Sequence, residues 1–264
     1  MNSLRQKPLQ FTKIGSGPRT LLAFHGIGQD ALTCFQALEN TLGVHYSIFA
    51  ADLFFHGKSG EADLEIVSKT YWTSILSDFL AENSISDFDI MGFSMGGRFA
   101  LATLEAFPER IENAYLIAPD GISENLLYTL ATRNAAGRTL FRWTMQKPAF
   151  FFKTIRLLKK AGIVHSSLVR FTENVLNTPE KRSTILKSWI AFRELRFDMA
   201  QITHLTETNN IRIFLITGQF DKLLKQSAVN PLARLLPESQ NIHLKSGHTQ
   251  LVAKAGLWIC TLFE

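Results

Sequence analysis

Apolar residues in this chain fall into two alternating patterns. Short, almost continuous apolar runs are separated by longer stretches in which they recur every three or four positions. "LQFTKIGSGPRTLLAFHG" reads as two strands joined by a Gly-Ser-Gly-Pro turn, the second ending at His25. "HYSIFAADL" is a third strand, "TYWTSILSDFLAEN" has helical periodicity, "FDIMGF" is a strand, "MGGRFALATLEAF" a helix and "IENAYLIAP" another strand. Such alternation predicts an α/β fold with a mostly parallel sheet covered by helices on both faces.

From about Gly121 to Leu205 no strand pattern occurs, and helical segments such as "AFFFKTIRLLKKAGIV" and "EKRSTILKSWIAFREL" follow one another. Alternation resumes with "IRIFLITGQFD", a helix over "AVNPLARLLP", the short strand "NIHLKSGH" and a last helix, "TQLVAKAGLWICTLF". The expected organisation is one core domain, residues 1–121 and 206–264, interrupted by a helical insertion over residues 122–205.

Length and composition fit a globular domain with a sizeable core: 264 residues, 46% of them apolar. No run of about 18 uncharged apolar residues occurs, and the N-terminus lacks the apolar region of a secretory leader. Cys34 and Cys260 have neither disulfide-framework nor metal-ligand spacing, so a reduced, cytoplasmic setting is the default expectation. Residues 122–200 carry 14 Lys/Arg against 5 Asp/Glu, although the whole chain has a net charge of only +5. The insertion is therefore read as a helical layer with one face in water. Peripheral contact with a membrane surface or an acidic head-group is the sharper reading. No nucleic-acid-binding module, metal-ligand cluster or cofactor is expected.

Candidate chemistry centres on Ser94, at the corner where "FDIMGF" gives way to "MGGRFAL". Gly92, Ser94 and Gly96 form G-x-S-x-G, in which a tight strand-to-helix turn lifts a serine hydroxyl above the sheet. Such a nucleophile needs a base, and His248, in the turn after the last strand, has the position for it. The acid that orients this base follows a strand end: Asp221 after "IFLITG", with Asp120 in "IAPDG" the rival. The order Ser94, Asp221, His248 is the one expected for this type of sheet. An oxyanion requires two backbone donors, assigned to Met95 and to Ile27 in "FHGIG", with Gly28 as an alternative. His25, Gly26, Phe93 and Arg98 are expected to contact a small-molecule acyl substrate. A competing reading takes Gly26, Gly28 and Ala31 as G-x-G-x-x-A, with Asp52 closing a dinucleotide-binding unit.

"FHGIG", "DLFFHGKS", the elbow segment "GFSMGGRFALATLEAFPERIENAYLIAP", "TGQFD" and "SGH" together resemble the α/β-hydrolase family over nearly the whole chain. The resemblance implies about eight strands, a Ser94–His248–Asp221 triad, and a lid formed by residues 122–205. Phe55 stands where that family commonly has glycine. A serine nucleophile implies cleavage of an ester or related acyl bond, or of a carbon–carbon bond. "SMGGR" also resembles the elbow of menaquinone-pathway synthases in this family, where the arginine matching Arg98 contacts substrate carboxylates. Phe93, however, replaces the tyrosine associated with that group. A non-catalytic, ligand-binding receptor on the same fold is the remaining alternative.

Overall fold

The structure, a computed structural model, describes residues 9–60, 65–124, 126–162, 164–224 and 226–264, without the side chains of residues 168 and 171. Residues 1–8, which were read for a leader, lie outside them. Seven strands form one sheet: β1 (Gln10–Ile14), β2 (Arg19–Phe24), β3 (Tyr46–Asp52), β4 (Phe88–Phe93), β5 (Ile111–Ile117), β6 (Arg212–Gly218) and β7 (Asn241–Leu244). Their spatial order is β1-β3-β2-β4-β5-β6-β7. Only β1, at one edge, runs antiparallel to its neighbour. The hydrophobic pattern marks these seven strands. An eighth, implied by the family resemblance, is not present among the described residues.

Central strands of a sheet covered on both faces lose their polar alternation, because either direction leads into a core. All six residues of β4 are buried. Successive side chains nonetheless go to opposite faces. Leu22, Phe24, Ile90 and Leu116 join one core cluster, and Leu21, Ala23, Met91 and Tyr115 the other. Helices α1 (Ala31–Phe35) and α10 (Leu251–Cys260) cover the second cluster. The first is covered by α2 (Lys69–Glu82), α3 (Gly96–Ala106) and α9 (Met199–Thr208). Trp72 is fully buried there, and its indole N–H donates to Thr103 Oγ1 at 3.0 Å.

Between β5 and α9 lie α4 (Leu126–Thr132), α5 (Ala135–Gln146), α6 (Pro148–Lys160), α7 (Ser166–Leu176) and α8 (Pro179–Ala191). Met145, Leu176 and Ile185 form a small core of their own for this layer. The end of the expected insertion behaves differently. Ala191, Phe192, Leu195, Met199 and Ile202 pack in the core beneath the sheet. No helix among the described residues is long and apolar enough to cross a membrane. Cys34 and Cys260 are both free thiols.

Parallel strands place their carboxyl ends along one edge. The residues after β2, β4, β6 and β7 therefore gather at the same rim, with β4 in the middle.

Candidate active site

At the end of β4 the chain turns into α3 through Ser94, whose φ is +51°. That left-handed backbone is costly for a non-glycine residue, by about 1 to 3 kcal/mol, and persists only where its surroundings enforce it. Here the Ser94 amide donates to Ile117 O (3.0 Å), while its carbonyl accepts from the amides of Gly97 (2.9 Å) and Asp120 (2.8 Å). The neighbouring glycines are required by contact distance. A Cβ on Gly96 would lie 1.9 Å from Phe24 O, and one on Gly92 would lie 2.7 Å from Ala100 Cβ.

The loops after β6 and β7 are joined to each other. Gln219 and Phe220 donate their amides to Leu244 O (2.8 Å) and Ser246 O (2.9 Å), and a Cβ on Gly218 would meet Ser246 O at 2.6 Å. This junction sets His248 Nδ1 2.6 Å from Asp221 Oδ2. Asp221 Oδ1 accepts the amides of Leu223 (2.8 Å) and Leu224 (3.0 Å). Burial alone would raise the Asp221 carboxyl, but the hydrogen bond and charge of His248, with these amides, hold it below its ordinary value. Because Nδ1–H faces the carboxylate, Nε2 of the neutral ring is the proton acceptor. The His248 ring lies 4.8 Å from that of Phe93, the residue before Ser94.

On the other side of the elbow, two buried histidines shape the loop after β2. His25 Nδ1–H donates to Gly26 O at 2.7 Å, and its Nε2 accepts the Leu53 amide at 3.0 Å. His56 Nδ1–H donates to Phe54 O at 2.8 Å, and its Nε2 accepts the Gly28 amide at 3.1 Å. Burial, followed by the neighbouring His56, pushes His25 down to about 3, and burial lowers His56 as well, so both rings are neutral. The Gly28 amide is thus occupied. The amides of Ile27 and Met95 and the Ser94 hydroxyl take no hydrogen bond among the described residues. Two free N–H groups and a hydroxyl on a strained turn are a suitable arrangement for binding an oxyanion.

Several residues singled out in the sequence are engaged inside the protein. His25, Phe93 and Arg98, expected to contact substrate, are buried. Gly26 is enclosed against the Phe93 ring, where a Cβ would sit 3.1 Å away. Arg98 grips Asp120 with Nε (2.6 Å) and Nη2 (3.2 Å), donates from Nη1 to Leu195 O (2.9 Å), and stacks on Tyr128 at 4.4 Å. Asp120 is therefore bound to arginine and Asp221 to His248, which separates the two carboxylates that chain position left open. Asp52 is likewise occupied, accepting the amides of Ala31 (2.7 Å) and Lys58 (2.8 Å), so the dinucleotide reading loses its acidic residue.

Sequence reasoning overlooked His56 as a positioning residue. Its signal was the "DLFFHGKS" segment, whose Phe55 adopts φ +67° in the position where the family commonly has glycine. Phe55, Ser59 and Thr184 help to line a cavity of about 470 Å³, and Arg98, Glu124 and Arg196 one of about 350 Å³; Ser94, Asp221 and His248 line neither.

Residues 19–254 match the family model described as alpha/beta hydrolase fold. An uncharacterized protein of Mycobacterium tuberculosis is 28% identical over 254 residues, covering 90% of this chain and 72% of that protein. Among solved structures, a thermophilic esterase from Thermogutta terrifontis superposes with a TM-score of 0.66 at 18% identity, over 97% of this chain and 91% of that one. A meta-cleavage product hydrolase from Pseudomonas fluorescens IP01 gives 0.64 at 18% identity, over 97% and 93%. At that level of identity the likeness concerns the fold.

Proposed function

The chain belongs to the α/β-hydrolase fold family, and from that premise we propose that it is a serine hydrolase cleaving an ester or related acyl bond of a small, largely apolar substrate. The observation that carries this reading is the 2.6 Å Asp221–His248 hydrogen bond, with the imidazole against the residue that precedes Ser94. In the proposed cycle His248 Nε2 takes the Ser94 proton as Oγ attacks the substrate carbonyl. The oxygen that becomes negative is held by the Ile27 and Met95 amides. The tetrahedral species collapses when His248 returns the proton to the departing alkoxide, leaving an acyl-serine and a free alcohol. Water, deprotonated by the same nitrogen, attacks the acyl carbonyl. Collapse of this second tetrahedral species passes the proton back to Ser94 and releases the carboxylic acid. Asp221 holds the tautomer and stabilises the transient imidazolium.

Helices α4–α8 are assigned as the lid, the role that the resemblance implied for residues 122–205. Ile27 packs on the cluster built from Met145, Leu176 and Ile185, and a Cβ on Gly28 would lie 3.5 Å from Val175 Cγ1. The layer is thus seated on the loop that supplies one oxyanion donor, and its apolar inner face suits an apolar acyl group.

Ser94→Ala removes the nucleophile. Turnover of a p-nitrophenyl ester series is expected to fall by about 10⁶-fold in kcat, with an unchanged circular dichroism spectrum and no labelling by a fluorophosphonate. Undiminished turnover by the variant overturns the assignment.

A further inference from the structure

The outer surface of α5 and α6 is built unlike the rest of the molecule. Leu140 and Trp143 on α5 are 62% and 42% exposed, and Phe150 and Leu157 on α6 are 65% and 66% exposed. Spacings of three and seven residues keep each pair on one face of its helix. The Trp143 and Phe150 rings meet at 6.2 Å, which makes the two exposed faces continuous. Lysines are interleaved on the same faces. Lys153 and Lys160 follow Phe150 and Leu157 by three residues each, and Lys147 sits at the junction between the two helices.

Along the chain, the charge carried by these two helices has a single sign. Between residues 126 and 162 the chain has eight Lys/Arg and no Asp or Glu. Arg133, Arg142 and Arg156 reach acidic residues outside that interval, namely Glu124, Glu65 and Glu173. Lys147, Lys153, Lys159 and Lys160 form no ion pair among the described residues.

We infer that the α5–α6 face docks on an anionic phospholipid surface, with Trp143, Phe150 and Leu157 entering the head-group boundary and the lysines binding lipid phosphates. Apolar side chains beside uncompensated cations, on helices too short to span a bilayer, are the chemistry of an interfacial helix. A second copy of the chain would bring like charges together across the same face, which disfavours self-association. The inference does not use Ser94, so it stands or falls separately from the hydrolase reading.

The test is co-sedimentation of the full chain with vesicles of ether-linked phosphatidylglycerol or ether-linked phosphatidylcholine, lipids that an ester hydrolase cannot consume. Binding is expected on the anionic vesicles, at least about tenfold weaker on the zwitterionic ones, and strongly reduced by 0.5 M salt, roughly beyond one Debye length of 5 Å. Lys153→Glu with Lys160→Glu should weaken it by about tenfold or more, and Phe150→Ser with Leu157→Ser by about fivefold or more. Quenching of tryptophan by brominated phosphatidylglycerol should be lost in Trp143→Phe. An unchanged circular dichroism spectrum and thermal midpoint in each variant show that the fold is intact. The inference is overturned if anionic vesicles are not bound, if both lipids bind equally, or if the charge reversals have no effect. It is also overturned if light scattering shows a dimer that Phe150→Ser with Leu157→Ser dissociates.

Discussion

At the carboxyl rim of the sheet, the histidines, Asp52 and Arg98 that surround the elbow are buried and paired; across the outer face of α5 and α6, apolar side chains and lysines face water. His25, His56, Asp52 and Arg98 each engage two or more partners around the elbow. On α6 no residue is fully buried. The first region holds a strained serine in place, which needs a rigid surround. The second has few tertiary contacts to lose, so its composition is free to serve what lies outside the molecule. Side chains of the same type therefore carry opposite meanings in the two regions: an arginine locks the elbow from inside, whereas lysines on α6 face solvent.

After the nucleophile itself, the largest expected effect falls on the acid. Asp221→Asn should lower kcat by about 10⁴-fold, because the histidine loses the partner that fixes its tautomer, whereas Asp120→Asn should stay within about tenfold of the parent. Equal losses would break the distinction between the His248-bound and Arg98-bound carboxylates. Gly96→Ala comes next. Its methyl would require Phe24 O to move from 1.9 Å, which is expected to cost roughly 3 kcal/mol in a urea titration. An unchanged midpoint would mean that the elbow is looser than its contacts imply.

Acid sensitivity sharpens the comparison further. His25 is held near 3 in the folded protein, against an ordinary value of 6.5. Between those limits the unfolded chain binds a proton that the folded one refuses, so stability present above pH 6.5 should fall as pH drops towards 3. Urea midpoints measured from pH 7 to pH 4 should fall less steeply in His25→Gln than in the parent. The smallest effect is expected at Leu157→Ser, within about 0.5 kcal/mol of the parent, because the side chain is mostly in water already. A loss of several kcal/mol there would show that the α6 face is covered by the protein itself.

Much of the fold was legible along the chain, and the reason is periodicity. Buried strands such as "FDIMGF" and amphipathic helices such as "TYWTSILSDFLAEN" carry their burial in the spacing of their own residues. An eighth strand came only from the family resemblance, without a hydrophobic run to support it. The elbow was legible because steric crowding at a tight turn admits only glycine at positions 92 and 96. Arg98, by contrast, is read as a substrate ligand only through the resemblance of "SMGGR" to an elbow in other family members, and its partners are not local. Its neighbours Asp120 and Leu195 lie 22 and 97 residues away, and no local pattern encodes them.

The sequence by itself determined the alternation of elements, the corner serine, the candidate acids and bases, and the one-signed charge of residues 126–162. These follow from local sterics and from counting. Tertiary structure alone decided which carboxylate meets His248, which amide His56 occupies and which stays free, and which faces of α5 and α6 remain in water. Each of those is a contact between segments far apart in the chain, and a hydrogen bond over such a distance exists only once the sheet has brought its strand ends to one rim.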